Sequence, residues 1–302
     1  MHVHVVGNAC VDTTFRVGRF PAVGETLNAV ASADGLGGKG ANQAIAAART
    51  GAAVTLWTAL GKDAAGAWIR GRLGRELSDV RVNEFDLASD RSIIVIDASG
   101  ENFIVSGVAC SEAFDPISQT ALARRIGPGG ILVMQGNLPA AATNACLRAA
   151  QQSGARTILN ASPIDEAALP DFDLVDMLVV NQSEAKALTG REDMAAAAGA
   201  LAAKGAGTVV ITLGGEGCLT LGPGQAGSVR LPAPRVEALD TSGAGDVFCG
   251  CLVGGISKGM SVTSSLKFAL EAAAISVTRP GTLLSCPSAS EMAALVDQTE
   301  LS

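Results

Sequence analysis

The stretch LDTSGAGDVFCGCLVGGI at 239–256 places Gly243, Ala244 and Gly245 just ahead of an apolar helical run, with Asp246 in its first turn. Free backbone N–H groups and the dipole at a helix N-terminus make an anion site. These three residues could cradle a phosphate while it moves, and Asp246 could take a proton from an attacking hydroxyl. The plainer reading is that Asp246 caps the helix. A second stretch, GLGGKGANQA at 35–44, satisfies GxGxxG through Gly35, Gly37 and Gly40. A dinucleotide fingerprint belongs directly after the first strand, and here that strand ends about thirty residues earlier. A Walker A loop fails as well, because Lys39 is followed by Gly40. What remains is a glycine turn into a helix that presents Lys39 and Asn42 as donors to hydroxyls. In VVNQSEAKALTG at 179–190, Asn181 and Glu184 read either as a helix cap or as groups arranging water and Mg²⁺ near phosphate oxygens. TLGGEGC at 212–218 is a hairpin taken alone, or a lining for a nucleotide's phosphates beside the others. The two histidines, His2 and His4, both sit in the opening strand. An enzyme built on this chain therefore draws its base from the carboxylates.

The elements that must hold these residues alternate. Apolar runs at 2–6, 54–60, 131–136, 157–162, 177–181 and 208–214 read as strands. Helix-like runs lie at 41–50, 64–77, 116–126, 140–153, 183–189, 194–204, 246–258 and 261–277. Short all-apolar strands alternating with helices predict a doubly wound α/β fold, a mostly parallel sheet sandwiched by helices. Residues 13–34 and 91–106 break the rhythm, the second as a hairpin turning at ASGE, and predict two insertions forming a small antiparallel β lid. No repeat or linker divides the 302 residues, so residues 1–302 are expected to form one α/β domain. Lys+Arg 22 against Asp+Glu 29 gives a net charge of −7, which argues against nucleic acid or an anionic membrane as partner. No apolar run reaches the roughly 18–20 residues of a spanning helix, and the opening MHVHVVGNACVD has no signal-peptide pattern. Seven scattered cysteines without a CxxC pair, Cys249 and Cys251 among them, read as reduced thiols of a cytoplasmic protein.

GGKGANQA early, NxxE midway and DTSGAGD late, in that order on an α/β pattern, resemble the ribokinase-like carbohydrate kinases, also called the phosphofructokinase B family. The likeness runs from Gly7–Asp12 to VTRPGTLLSCP at 277–287. It implies transfer of the ATP γ-phosphate to a sugar hydroxyl, ribose or a related pentose first. Asp246 would be the base, with Gly243, Ala244 and Gly245 as the anion hole. Asp12, Gly38, Lys39, Asn42 and Asn137, with Asp246, would hold the sugar. Asn181, Thr212, Gly214, Gly217 and Gly245 would border ATP, and Glu184 would serve Mg²⁺ through water. Asp240, Ser242, Gly281 and Ser285 match a loop pair that holds a monovalent cation, K⁺, in the family. The resemblance also implies a homodimer clasped through the lid. Two departures bear on the substrate: Cys10 stands where ribokinases carry Asn, and Asn137 where they carry a sugar-binding Glu. A ketohexose or a nucleoside of the adenosine type is the alternative substrate, and a non-catalytic sugar-binding protein the distant alternative.

Overall fold

The computed structural model describes the backbone of residues 1–300 and the side chains of residues 1–296. In chain order, β1 (Val3–Val6), β2 (Cys10–Arg16) and β3 (Ala31–Gly37) lead into α1 (Lys39–Arg49). Next come β4 (Val54–Gly61), α2 (Ala64–Glu76), β5 (Val80–Phe85), β6 (Arg91–Ile96) and β7 (Asn102–Gly107). Three short helices, α3 (Ala109–Ala113), α4 (Pro116–Gln119) and α5 (Leu122–Arg125), precede β8 (Ile131–Gln135), α6 (Ala140–Gln152) and β9 (Arg156–Asn160). The chain continues through β10 (Met177–Asn181), α7 (Gln182–Thr189), α8 (Met194–Ala203) and β11 (Thr208–Thr212). It ends with β12 (Cys218–Leu221), β13 (Val229–Leu231), α9 (Ala244–Ser257), α10 (Val262–Val277) and α11 (Ala289–Glu300).

Nine strands form one sheet in the order β13-β12-β11-β10-β9-β8-β1-β4-β5, parallel except at β12 and β13. The inner strands are largely apolar because both of their faces are covered. In β8, Ile131 and Val133 pack into one core layer and Leu132 and Met134 into the other; the period of two sorts neighbours to opposite faces. This is the doubly wound α/β arrangement that the alternation predicts. A second sheet, β3-β2-β6-β7, has antiparallel outer pairs joined by a parallel contact between β2 and β6.

Several elements differ from the sequence expectation. The run 116–126 is two helices, because the Thr120 hydroxyl donates to Pro116 O at 2.5 Å and accepts from Leu122 N at 3.0 Å, ending one helix and starting the next. β5, VRVNEF, lacks an apolar run because it is the sheet's outermost strand and carries edge charges. The strand at 157–162 stops at Asn160, and the helices at 41 and 246 begin at Lys39 and Ala244.

One contact positions the site. α9 packs directly on α1, where a Cβ at Gly250 would lie 2.6 Å from both Ala46 Cβ and Gln43 O. Gly254, one turn on, gives the same room to Thr50. The backbones can approach this closely only without side chains there. Gly250→Val is therefore expected to cost about 1–3 kcal/mol by overpacking, read as a lower urea midpoint at unchanged m-value. An unaltered midpoint would remove the close-packing account.

Candidate active site

The parallel strands end their apolar runs in polar residues. Gln135 closes β8 and pairs in register with Asn160 of β9, while Asn181 of β10 pairs with Thr212 of β11. The carboxyl ends of parallel strands are where open α/β sheets bind ligands. α1 and α9 bring their N-termini to this rim. His2 and His4 do not reach it: His2 Nε2 meets Thr55 Oγ1 at 2.8 Å, and His4 Nδ1 accepts from Trp57 Nε1 at 3.2 Å. Burial holds His4 down to about 4, so it is neutral near pH 7.

Asp246 is 6% exposed and forms no ion pair among the described residues. Its two oxygens take amides from successive residues of α1. Asn42 Nδ2 donates to Oδ2 at 3.1 Å and Gln43 Nε2 to Oδ1 at 2.9 Å. It does not cap α9, whose N-cap residue is Gly243 and has no side-chain bond. Gly243 sits at φ +76°, where a side chain is strained, and a Cβ there would press on Thr282. The N–H groups of Gly243 and Gly245 donate to nothing among the described residues. Two free donors and a helix dipole beside a buried carboxylate suit a transferring anion and a proton acceptor.

The other predicted sugar residues gather close by. Asp12 folds over Gly37, where any Cβ would overlap its carboxylate. Burial raises Asp12 above the usual carboxylate range and the like charge of Asp246 adds to this, while bonds from Cys10 and Ser92 oppose it. Cys10 Sγ donates to Asp12 Oδ1 at 3.2 Å. Burial, then the Asp12 charge, pushes the Cys10 thiol well above its ordinary value, so it remains a thiol. Gly38 is the N-cap of α1, and Lys39 opens the helix with its Nζ in no hydrogen bond or ion pair among the described residues. Asn42 Oδ1 and Asn137 Oδ1 are buried without partners. Buried polar atoms left open in this way suit a hydroxylated ligand.

At the far rim, Asn181 and Glu184 form a full capping box, each side chain accepting the other's backbone N–H at 2.8 Å. One Glu184 oxygen stays clear of it. Thr212 Oγ1 reaches Val180 O at 3.5 Å. Gly214 opens a one-turn 3₁₀ helix in the β11–β12 connection, which is a hairpin. Gly217 is buried under Leu231 of β13. Asp240 ties the loop before α9 to residue 281: Oδ1 accepts from Ser242 N at 2.9 Å and Oδ2 from Gly281 N at 2.8 Å. Ser285, buried, donates to Thr282 O at 2.9 Å.

The sequence reading misses Gln43, Gln135 and Asn160. The available signal is positional: Gln43 follows Asn42 in the glycine-rich motif, and the other two end buried strands.

A sequence model for the pfkB family carbohydrate kinases matches residues 2–289. Ribokinase from Mus musculus is 32% identical over 295 residues, 94% of this chain and 91% of that protein. Deoxyribokinase from Salmonella typhi is 32% identical over 300 residues, 95% of this chain and 96% of that one. The structure of Arabidopsis thaliana ribokinase complexed with ribose and ATP superposes with a TM-score of 0.87 at 27% identity, covering 97% of this chain and 98% of that chain.

The Asp240 tie has a definite pH dependence. Burial pushes its carboxyl up, but the N–H groups of Gly281 and Ser242 outweigh burial and hold it below its usual value. The folded state thus favours the ionised form, so the tie is complete at neutral pH and weakens as pH falls through and below the usual carboxylate range. Asp240→Ala should leave both amides unpaired, with faster hydrogen exchange at Ser242 and Gly281 at pH 7. Equal exchange in the variant would show that Asp240 does not hold this junction.

Proposed function

The chain belongs to the pfkB family of carbohydrate kinases, and we propose that it phosphorylates ribose or a related pentose with ATP, using Asp246 as the base. The observation that carries this reading is the Asp246 carboxylate, buried without a cation beside the free N–H groups of Gly243 and Gly245. In the proposed step the sugar hydroxyl gives its proton to Asp246 as its oxygen bonds the γ-phosphorus. The bond to ADP breaks and ADP leaves with the electron pair. Gly243 and Gly245 meet the charge on the transferring group with free N–H donors, while Ala244 between them already turns its N–H to Thr241 O at 3.3 Å. Such a transfer needs positioning and electrostatic stabilisation more than covalent help.

Asp12, Gly38, Lys39, Asn42 and Asn137 would hold the sugar, and Asn42 Oδ1 and Asn137 Oδ1 are open acceptors for its hydroxyls. Cys10 narrows the choice. Its single S–H is committed to Asp12 and sulfur accepts weakly, so the pocket offers fewer polar partners than an asparagine would. That observation brings a deoxy sugar into the same class as ribose. Asn181, Thr212, Gly214 and Gly245 would border ATP, while Gly217, buried under Leu231 with its N–H on Gly214 O, shapes the hairpin that carries Gly214. No group of three or more potential metal ligands occurs among the described residues. That suits Mg²⁺, which binds through substrate phosphates, water and one or two carboxylates; Glu184 keeps one oxygen for such a water. Asp240, Ser242, Gly281 and Ser285 form a tied, oxygen-bearing loop pair that fits a monovalent cation such as K⁺, whose charge would support the anion hole.

The small sheet, with insertions 13–34 and 91–106 around its strands, is read as a lid. It shows Phe103, Ile104 and Val105 more than half exposed, an apolar edge that pairing with a second copy would cover. A cytoplasmic location fits seven free, buried cysteines.

The decisive assay measures ATP consumption with ribose, deoxyribose, other pentoses, ketohexoses and nucleosides, with and without K⁺. Turnover on a pentose is expected, and Asp246→Asn should lower it about 10²–10⁴-fold while keeping sugar binding. No turnover on any sugar would sink the reading, and a nucleoside preference would replace the substrate. Sedimentation at micromolar concentration should give a dimer that Phe103→Asp dissociates; a wild-type monomer removes the lid interface.

A further inference from the structure

We propose that Gln43 is the positioning residue for Asp246, and that Gln135, lodged against Gly7, aims Gln43. The inference rests on the reading of Asp246 as the proton acceptor. Gln43 is 1% exposed and Gln135 is fully buried. The direction of every bond around them is forced by groups that can only accept. The Val179 carbonyl takes Asn160 Nδ2 at 3.1 Å, which turns Asn160 Oδ1 toward α1. That oxygen receives one hydrogen of Gln43 Nε2 at 3.0 Å, and the other goes to Asp246 Oδ1 at 2.9 Å. Gln43 Oε1 then faces Gln135, whose Nε2 donates at 3.0 Å. Flipping the Gln43 amide would set an oxygen against both a carboxylate and an amide carbonyl. The orientation is fixed.

Gln135 is seated from behind. A Cβ on Gly7 would collide with Gln135 Oε1, so the glycine after β1 leaves the space in which this amide lies. With Gln43 on Oδ1 and Asn42 on Oδ2, the plane of the Asp246 carboxylate is set by two neutral donors. A lysine or arginine in place of Gln43 would hold the carboxylate as firmly, but would also favour its ionised form and weaken it as a base. An amide orients without adding charge. Misplacing a reacting group by about 1 Å can cost on the order of 10²-fold in rate, which is the effect this chain of amides prevents.

The test compares Gln43→Met, which keeps length and removes all three bonds, with wild type and Asp246→Asn. The expected result is a kcat lower by about 10–100-fold, with sugar KM and the Kd values for sugar and ADP within about threefold. In the Asp246→Asn background the same change should cost under about twofold, because Gln43 acts only through Asp246. Gln43→Glu supplies a pH signature. Its carboxyl can donate to Asp246 only when protonated, so kcat/KM should gain a falling limb toward high pH that neither wild type nor Gln43→Met has. The ionisable groups that feel the Asp246 charge are Asp12 of β2 and Cys249 of α9, and Lys39 of α1 acts on Cys249; all three are common to every variant. A Gln43→Met enzyme within twofold of wild-type kcat, or a full multiplicative loss on Asp246→Asn, overturns the proposal. If Gln43→Met does not fold, Gln135→Met tests the same relay without touching Asp246: a lower kcat at constant KM supports it, and an unchanged kcat overturns it. Full activity in Asp246→Asn would instead remove the base itself, so the two failures are told apart.

Discussion

A carboxylate taken out of water without a cation beside it must be given hydrogen-bond donors by the fold, or it will not remain an ion. Asp246 is such a carboxylate, and both donors come from α1. This one requirement explains much of the architecture around it. α1 must lie against α9, which calls for small residues at the crossing, supplied by Gly250 and Gly254. It must also present Asn42 and Gln43 at its start, which calls for a turn that enters the helix beside Asn8; Ala41 N donates to Asn8 O at 3.0 Å there.

The electrostatics follow from the same burial. Asp12 and Asp246 come from distant parts of the chain, yet burial and then the charge of Asp246 raise the cost of ionising Asp12. Two carboxylates in one pocket form a poor site for an anion and a good one for hydroxyls, which can donate to both. In the proposed reaction the phosphate end would meet the backbone N–H groups of the α9 turn, where the helix dipole is favourable and the nearby Asp240 carboxylate is tied to Ser242 N and Gly281 N. On that reading, hydroxyl recognition and anion stabilisation would meet at a single carboxylate.

Most of the fold is legible in the sequence because a strand covered on both faces must be apolar at every position, as in ILVMQ and MLVVN. β5 is not, since an edge strand has no such constraint and VRVNEF is half polar. The break at Thr120 escapes notice because a single hydroxyl, and not a glycine or proline, ends the helix. Of the site, the glycines and the acid stand out by type and order. Gln43, Gln135 and Asn160 do not, because uncharged amides acquire meaning only from what they touch. Gln43 and Asp246 are 203 residues apart in the chain, and no local pattern reports that they meet.

The small sheet is joined to the rest of the fold by four short segments, and two of them lead to the site. Gly7–Ala9 runs from β1 into β2, and Gly38 joins β3 to α1. The first holds the glycine against which Gln135 rests, and the second leads within a few residues to Asn42 and Gln43. Two of the joints to the small sheet are therefore built beside the peptides that seat the amides on Asp246. Each glycine there serves the joint and the site together: a Cβ at Gly7 would strike Gln135 Oε1, and one at Gly38 would strike the backbone of Asn8 and Ala9.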